Sequence, residues 1–393
     1  MIGTVVLLMC AIHPLLSYPL SLRAFVRPRP LMIDQASRRP SLAICMSAYN
    51  EESVIAAKVE RLLEIAAAYG PATIHVYADA PADGTVAILN RYADRIDLVV
   101  GAERAGKTAG MNLLVNRSRS DYLLFTDANV ESDANAAIEL AAALRDPSVG
   151  CASAKLIYSN SSETATSSLG SIYWRTEEWI KRIESDRMGL IGCDGAMFLM
   201  RRSLHVPPPP HLIDDLYLSL SILVAGSRIV SLDHVLVYER SATGATEEKR
   251  RKQRIACQAL NVHRAMWPRL RRMPLVLLYG YVSHRLMKWL MPFFLAGAAL
   301  CALLAVGFAL GAAVAGALAA AVGVMLVLGE VTRLRPFSLL SSAALSLTGV
   351  ATGFLESIFF NETYATWDPA YSVRDTPPAA AAPGHVLAER ERG

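Results

Sequence analysis

Residues 41–52 read Ser-Leu-Ala-Ile-Cys-Met-Ser-Ala-Tyr-Asn-Glu-Glu, a short apolar run that ends in a polar turn. After the turn, apolar residues recur at near-helical spacing as far as Tyr69, which predicts an amphipathic helix. A buried strand that leads through a turn into a helix is the repeating unit of an α/β domain with a parallel sheet. This stretch therefore decides the fold class, and the polar residues of its turn are the first candidates for a site.

Three further predicted strands repeat this pattern along the chain. Their apolar runs are residues 73–77, 96–100 and 121–126. Asp79 follows the first of these runs, and Asp127 follows the last. Because ligands of such sheets bind beyond the carboxyl ends of the strands, we expect Glu51, Asp79 and Asp127 to share one site. Taken alone, Asp79 is equally typical of a plain turn.

The apolar composition indicates that the chain also contacts a membrane. Hydrophobic residues make up 53% of the 393 residues, and three long stretches carry no Asp, Glu, Lys or Arg. These stretches are residues 1–22, 289–329 and 336–355. Because the helices of a soluble domain need a polar face, the three stretches predict transmembrane helices. In the first of them, Pro14 and Pro19 leave a kinked or partly interfacial helix open as an alternative.

The distribution of charge divides the chain into five predicted regions. They are an N-terminal transmembrane anchor (1–22), a cytoplasmic α/β domain (38–245), basic and interfacial helices (246–288), C-terminal transmembrane segments (289–360) and a partly disordered tail (361–393). The arginines that follow the first apolar stretch, from Arg23 to Arg39, assign the α/β domain to the cytoplasm by the positive-inside rule. Later charges agree with this orientation, namely Arg285, Lys288, Arg333 and Arg335. The last apolar segment carries Glu356, so it either crosses the membrane or is re-entrant, and the side of the tail stays open.

Cysteine usage and basic residues narrow the class of site. The six cysteines are scattered, and no C-x-x-C or Cys/His cluster is present, so neither a zinc site nor a disulfide framework is expected. Nine Lys and Arg residues fall between Lys249 and Arg272. Such a stretch suits an anionic lipid surface or a phosphate-bearing substrate. We expect no nucleic-acid partner.

The segment Gly101-Ala-Glu-Arg-Ala-Gly-Lys-Thr108 follows the third predicted strand. Its small residues allow close approach of the backbone to a ligand, and Arg104 and Lys107 can face phosphates. The spacing also matches Gly-x-x-x-x-Gly-Lys-Thr, the P-loop pattern, so a nucleotidase is a competing interpretation. A P-loop normally follows the first strand of its domain, which weighs against this alternative.

Asp127-Ala128-Asn129 comes directly after the fourth predicted strand. Two oxygen ligands at this spacing can hold Mg²⁺ or Mn²⁺ against a pyrophosphate. An isolated Asp-x-Asn is more often a helix cap or a turn, and that interpretation stays open.

Two later segments complete the candidate residues. Gly192-Cys-Asp-Gly-Ala-Met197 contains Asp194 between glycines, which suits the wall of a sugar pocket or a tight turn. Asp214 and Asp215 open a helical pattern, where acidic residues are commonly caps. One of them can cap the helix while the other accepts a proton from a hydroxyl.

As a set, these motifs resemble the family 2 glycosyltransferases. The shared order is Ser-Ala-Tyr-Asn-Glu-Glu, a strand-end Asp, Gly-Lys-x-x-x-x-Asn, Asp-Ala-Asn, Gly-x-Asp-Gly-Ala, Asp-Asp and Arg-Arg-Lys-x-Arg. Residues 283–289, Ser-His-Arg-Leu-Met-Lys-Trp, are similar to a Ser-His-Lys-x-x-Arg-Trp segment of bacterial polysaccharide-building members. The resemblance covers about residues 40–372 and includes Thr366-Trp367. Each motif is weak by itself, but their order and spacing together are specific.

The resemblance implies a GT-A fold, with a doubly wound, mostly parallel sheet flanked by transmembrane and interfacial helices, and an inverting sugar transfer. It implies that Glu51 and Asp79 hold the nucleotide and that Lys107 faces its phosphates; Asn50 and Arg104 are further candidates for these contacts by their positions. It also implies that Asp127 binds Mg²⁺ or Mn²⁺, with Asn129 as the second ligand, and that Asp215 is the general base, which leaves Asp214 as the cap. Asp194 would border the donor sugar or the acceptor, and Arg251 and Arg254 would lie near the leaving diphosphate. The implied donor is a nucleotide sugar, with a UDP-sugar as the first expectation. The implied acceptor is a lipid-linked or other glycan at the bacterial inner membrane, with membrane lipids and polysaccharide-assembly proteins as further partners.

Two departures from the family pattern qualify the resemblance. The second Asp of the usual Asp-x-Asp is Asn129, so metal binding depends more heavily on Asp127. The Gln-x-x-Arg-Trp motif of processive synthases is absent, which favours a single sugar addition. A non-catalytic membrane scaffold is the remaining alternative, and the presence of both Asp127 and Asp215 weighs against it.

Overall fold

The computed structural model describes residues 1–32, 39–159, 165–240, 244–332, 334 and 336–366. For residues 165–172 and 245 it describes the backbone alone. Arg38, Arg333, Arg335 and the tail from Trp367, to which the sequence assigned topological or motif roles, lie outside the described residues.

One mixed sheet of eight strands forms the centre of the described chain. In chain order the strands are β1 (Leu42–Ala48), β2 (Ala72–Ala78), β3 (Asp97–Val100), β4 (Tyr122–Thr126), β5 (Glu131–Ser132), β6 (Val149–Tyr158), β7 (Met197–Arg201) and β8 (Arg228–Glu239). Their spatial order is β3-β2-β1-β4-β7-β6-β8-β5. The first four are parallel, whereas β7 pairs antiparallel with both β4 and β6.

The helices cover the sheet and continue beyond it. In the α/β region they are α3 (Ile55–Tyr69), α4 (Thr85–Leu89), α5 (Lys107–Arg117), α6 (Ala136–Ala143), α7 (Ala165–Arg187) and α8 (Asp214–Val224). Outside it they are α1 (Ile2–Ile12), α2 (Ser17–Phe25), α9 (Ala245–Leu270), α10 (Leu275–Gly280), α11 (Met287–Leu310), α12 (Ala312–Thr332) and α13 (Phe337–Phe359).

The four strands predicted from apolar runs are confirmed as β1 to β4, each to within two residues of the expected bounds. Strand β1 lies between β2 and β4, and six of its seven residues are buried because both faces of the sheet are covered. Such strands read as continuous apolar runs, which explains why they were recognisable. The sheet is more mixed than the expected mostly parallel one, because β7 enters it in the opposite direction.

The region assigned to an interfacial helix, residues 274–288, is part of a longer helix. Helix α10, a π-helical segment (Tyr281–Leu286) and α11 follow one another without a break, giving a 36-residue apolar helix from Leu275 to Leu310. The helix therefore runs through the predicted boundary at residue 288. The basic residues of this segment face protein, because buried acids of α7 attract them.

A buried ionic network joins this helix to the α/β domain. The His284 ring donates to or accepts from Glu184 at 2.7 Å and Glu177 at 3.1 Å, and His284 has no exposed surface. Lys288 Nζ lies 2.9 Å from both oxygens of Glu177. The Tyr18 hydroxyl donates to Glu184 at 2.6 Å, which adds helix α2 to the same network.

Three described helices are long and apolar enough to cross a membrane, namely Leu275–Leu310, Ala312–Thr332 and Phe337–Phe359. Helices α1 and α2 together are also long and apolar enough to cross a membrane, with a bend of 63° between them. This bend matches the kinked alternative that the prolines of the first apolar stretch left open.

Helix α13 lies along α9 over much of its length. A side chain at Gly353 would overlap the backbone oxygen of Gln253, so the two helices approach at a distance that only glycine permits. Beyond α13, the backbone oxygen of Glu362 accepts from Asn261 Nδ2 at 2.8 Å. The described start of the tail, Asn361–Thr366, therefore contacts α9, and the backbone oxygen of Ala365 lies against Gly106 of the α/β domain.

Candidate active site

One edge of the sheet collects the candidate residues. The turns after β1, β2 and β4 carry Glu51, Asp79 and Asp127, as the strand pattern predicted. Because β7 runs antiparallel to β4, the segment before it, residues 192–196, lies at the same edge. The expected juxtaposition therefore follows from the sheet order.

The turn after β1 is held by its own polar groups. Asn50 adopts a φ of 52°, and its Oδ1 accepts from the backbone of Ala82 at 2.8 Å. The backbone of Glu51 donates to Thr85 Oγ1 at 2.8 Å, and the Glu51 side chain is buried. The described contacts of Asn50 thus join the turns after β1 and β2, and its role toward a nucleotide stays a prediction.

Asp79 organises the glycine-containing loop at residues 101–106. Its carboxylate accepts from the backbone N–H of Ala105 at 2.7 Å and of Gly106 at 3.1 Å. In a P-loop, such amides would instead face a phosphate. Because a carboxylate already accepts from them, the geometry disfavours the nucleotidase interpretation. Arg104, in the same loop, lies 3.6 Å above the centre of the Tyr49 ring, a cation–π arrangement.

Lys107 connects the acids of two elements. Helix α5 begins at Lys107, whose Nζ lies 2.6 Å from Asp127 Oδ1 and 3.7 Å from Asp214 Oδ2. Although burial opposes the effect, Asp127, Asp214 and Asp215 raise the pKa of Lys107. The ammonium therefore stays charged at the centre of the cluster.

The helix that carries the two acids is tied to α5 by side chains. Thr108 Oγ1 donates to the backbone oxygen of Leu212 at 2.8 Å, and Asn112 Nδ2 donates to that of Pro208 at 2.7 Å. These bonds hold the segment before α8 against the start of α5. The positions of Asp214 and Asp215 relative to Lys107 are fixed in this way.

Asp214 does not cap α8, which corrects the expected division of roles. The residue before the helix is Ile213, and no side-chain hydrogen bond caps this end. The Asp214 carboxylate is buried and turned toward Lys107 instead. The strong cation nearby accounts for the difference, because a charged partner attracts a carboxylate more than neutral amides do.

Asp215 has the properties of a general base. Burial and the neighbouring Asp214 raise its pKa to about 7. A Cβ atom at Gly195 would lie 2.8 Å from Asp215 Oδ2, so the carboxylate packs against residue 195 at a distance that favours glycine there. A base with a pKa near the working pH is well matched to remove a proton from a hydroxyl.

Two arginines of α9 face the cluster. Burial and Arg251 lower the pKa of Arg254 to about 10, against the attraction of Asp215, Asp127 and Asp214. The Arg251 guanidinium donates to the Tyr158 hydroxyl at 3.0 Å. Both arginines thus lie within electrostatic reach of acids at this edge, as the basic motif predicted, and can attract a diphosphate.

Glu239, at the end of β8, is a site residue that the sequence did not reveal. Its Oε1 accepts from Asn129 Nδ2 at 3.1 Å. Burial raises the pKa of Glu239, and the nearby Asp127 raises it further. No motif surrounds Glu239 in the sequence, although a carboxylate at the end of a buried strand is itself a weak signal.

The oxygen atoms of Asp127, Asn129 and Glu239 suit a hard divalent cation. Burial disfavours the ionised form of Glu239, and a cation bound here would stabilise that form. The residues therefore fit Mg²⁺ or Mn²⁺. Among the described residues, no group of three or more His, Cys, Asp or Glu could hold a metal ion by itself. Ligands from a bound diphosphate would therefore be needed to complete the coordination.

Asp194 is engaged by a lysine rather than left open. Lys181 Nζ lies 2.6 Å and 2.8 Å from its two oxygens, and the lysine is almost fully buried. Asp194 borders Gly195 and hence the base, but its direct contact with a sugar stays a prediction.

The sequence matches a known protein family, and the fold is similar to those of known proteins. Residues 43–206 match the family model described as Glycosyl transferase family 2. No curated protein sequence matches the chain. The mannosyltransferase PcManGT from Pyrobaculum calidifontis, solved in complex with GDP-Man and Mn²⁺, superposes with a TM-score of 0.67 at 18% identity, covering 92% of this chain and 99% of its own.

Two further solved structures are less similar to this chain. The mannosyl-3-phosphoglycerate synthase from Rubrobacter xylanophilus has a TM-score of 0.42 at 14% identity, over 60% of this chain and 77% of its own. The glucosyl-3-phosphoglycerate synthase from Mycobacterium tuberculosis has a TM-score of 0.41 at 13% identity, over 57% of this chain and 80% of its own. The likeness to PcManGT establishes the GT-A fold expected from the motifs.

Proposed function

Because residues 43–206 match the family model of glycosyl transferase family 2, we propose that the chain is an inverting, metal-dependent sugar transferase at a membrane. Its donor is a nucleoside diphosphate sugar, and its acceptor is a hydroxyl group of a membrane-associated glycan. The degenerate-scaffold alternative is disfavoured because the acids and cations required for transfer are all present at one edge.

A single observation carries this proposal. Lys107 lies between Asp127, from the turn after β4, and Asp214, from the start of α8, while Asp215 adjoins the same cluster. The cations are suited to a diphosphate, and the raised pKa of Asp215 is suited to a hydroxyl proton. Sugar transfer from a diphosphate to a hydroxyl needs both, and the family match favours it over other transfers to a hydroxyl.

In the proposed reaction, the Asp215 carboxylate accepts the proton of the acceptor hydroxyl. The acceptor oxygen forms a bond to the anomeric carbon of the sugar, and the bond from that carbon to the diphosphate oxygen breaks on the opposite face. This single displacement inverts the anomeric configuration. The electron pair leaves with the nucleoside diphosphate, whose charge Lys107 and Arg254 stabilise.

Asp127, with Asn129 and Glu239, would hold the divalent metal, which neutralises charge on the diphosphate when it is bound. The complex of PcManGT with GDP-Man and Mn²⁺ supports both the donor class and the metal. The base of the nucleotide is proposed only as a class, with UDP-sugars and GDP-sugars as the first donors to test.

The chain is proposed to lie in the bacterial inner membrane with its catalytic domain in the cytoplasm. The candidate spans support membrane association. The contact of Glu362 with Asn261 supports a tail that starts on the catalytic side, and hence the re-entrant alternative for α13. The acceptor is proposed to be a lipid-linked glycan of a cell-envelope or exopolysaccharide, extended by one sugar at a time.

The test is a donor panel with the full-length protein in membranes. Release of nucleoside diphosphate would be measured with UDP- and GDP-sugars, with and without Mn²⁺, and in parallel with ATP. We expect metal-dependent release from one class of nucleotide sugar and none from ATP. Release of phosphate from ATP, without activity on any nucleotide sugar, would contradict the proposal and support a nucleotidase.

A further inference from the structure

A lysine in the hydrophobic core reaches the turn that carries the metal-binding candidates. Lys58 lies on α3 and is only 4% exposed. Its neighbours on the buried face of the helix are apolar, including Ile55, Val59 and Leu62. Burying an ammonium group in such surroundings is costly unless specific partners compensate it.

The partners of Lys58 stand at the two ends of one turn. Its Nζ donates to Thr126 Oγ1 at 2.9 Å and to the backbone oxygen of Val130 at 2.6 Å. Asp127 and Asn129 lie between these two residues in the chain. The ammonium therefore joins the beginning and the end of the turn that presents both side chains.

Thr126 transmits the same constraint to the strand beside it. Its hydroxyl also lies 3.0 Å from the backbone oxygen of Ala196, next to Gly195 and the base Asp215. No ion pair to Lys58 within 4 Å occurs in the part of the chain that the structure describes. A position that required packing alone would be filled as well by an apolar side chain, so the polar bonds to the turn are what Lys58 adds.

We infer that Lys58 is a positioning residue for the metal: it holds the Thr126–Val130 turn in the shape that directs Asp127 and Asn129 toward a shared cation. The inference rests on the proposed metal-dependent function. It assigns no contact with substrate to Lys58. Groups that orient metal ligands from behind typically change metal affinity by about 10- to 100-fold when they are removed.

The experiment measures binding of nucleoside diphosphate to the full-length protein while Mn²⁺ is titrated. Lys58→Met keeps the length and apolar stem of the side chain and removes the N–H donors. We expect the Mn²⁺ concentration for half-maximal nucleotide binding to rise about 10- to 100-fold, while nucleotide affinity without metal stays unchanged. The matched control is Leu62→Ala, one turn along the same helix, which removes buried surface and no hydrogen bond to the turn.

Each outcome decides the inference. A raised Mn²⁺ midpoint in Lys58→Met, with a wild-type midpoint in Leu62→Ala, supports it. An unchanged midpoint in Lys58→Met, or an equal rise in Leu62→Ala, overturns it and leaves the transferase function standing. Wild-type nucleotide binding that does not respond to Mn²⁺ would instead overturn the proposed metal dependence, and the inference with it.

A second variant decides the case in which Lys58→Met does not fold. Thr126→Val keeps the shape of the threonine and removes only the hydroxyl that Lys58 binds. The Mn²⁺ midpoint should rise in Thr126→Val as well. The rise should be smaller than in Lys58→Met, because the hydrogen bond from Lys58 to Val130 remains, and such a rise supports the inference. A wild-type midpoint in Thr126→Val overturns it.

Discussion

Two clusters of acids in the described part of the molecule are paired in opposite ways. In the network around His284, each carboxylate faces a cation or a hydroxyl at 3.1 Å or less, with Glu177 against Lys288 and Glu184 against Tyr18. At the sheet edge, Asp214 and Asp215 adjoin each other, and one lysine lies within 4 Å of Asp214 and Asp127. The carboxylates of the first cluster are paired with protein groups. In the second cluster three carboxylates share one lysine, so negative charge remains for a ligand such as a metal ion.

The difference separates a structural cluster from a functional one. Fully paired buried charges hold elements together, and removing one partner is costly because it leaves the other charge alone. Burial and a neighbouring negative charge raise the pKa of a carboxylate, and a raised pKa suits proton transfer. Mutations in the first cluster should therefore affect stability, and mutations in the second should affect binding and turnover.

The largest effect is expected for Asp127→Ala. This carboxylate is the strongest candidate ligand for the metal and the partner of Lys107, so turnover should fall below detection and metal-dependent nucleotide binding should weaken. Thermal unfolding should change little, because Asp127 is one-third exposed. Sugar transfer and unfolding would be measured on the same preparation, and full activity in this variant or in excess chelator would contradict a metal-dependent mechanism.

The opposite pattern is expected for Glu177→Gln in the His284 network. Loss of this charge leaves Lys288 and His284 without their shared carboxylate, which should cost about 3–5 kcal/mol of stability. Donor affinity of the folded protein should be retained. Chemical denaturation followed by a donor-binding assay checks both halves, and a stable variant with lost donor binding would remove the distinction between the clusters.

The pH dependence of turnover should reveal the coupling within the second cluster. Because Asp215 must be ionised to accept a proton, and its pKa is raised to about 7, the rate should fall as the pH falls through that value. Asp214→Asn removes a charge that raises this pKa, so the acidic limb of the profile should move to lower pH. Identical limbs in wild type and variant would show that Asp214 does not act on the base.

The smallest effect is expected for Asn129→Asp. The change adds a negatively charged ligand where the family pattern has Asp, and it also places a second carboxylate beside Glu239. We expect tighter binding of Mn²⁺, seen as a lower midpoint in nucleotide-binding titrations, with turnover retained. A higher Mn²⁺ midpoint would indicate that Asn129 orients Glu239 and does not bind the metal.

Local sequence patterns predicted the parts of the site that lie next to recognisable strands and turns. Glu51, Asp79 and Asp127 follow buried apolar runs, so their common edge could be inferred because they lie at the carboxyl ends of strands. Asp215 opens a helical pattern, and only the family resemblance placed it at the same site. Glu239 could not, because β8 joins the sheet through a parallel pairing with β6, about 80 residues earlier in the chain, which no local pattern records.

The orientation of side chains also lay beyond the sequence. Asp214 looked like a cap because its helix starts there, but the decisive neighbour, Lys107, lies 107 positions earlier in the chain. Residues 274–288 looked interfacial because they mix apolar residues with His284, Arg285 and Lys288. Their partners, Glu177 and Glu184, are supplied by α7 only after the chain has folded.

Asp215→Asn most directly tests whether the cluster at the sheet edge removes the proton of the acceptor hydroxyl while other groups bind the donor. The substitution keeps the size of the side chain and removes the basic oxygen. Donor affinity and turnover would be measured for the variant and wild type in the same membrane preparation. We predict unchanged donor affinity and a fall in turnover of about 10²–10⁴-fold. Wild-type turnover in Asp215→Asn would contradict the account.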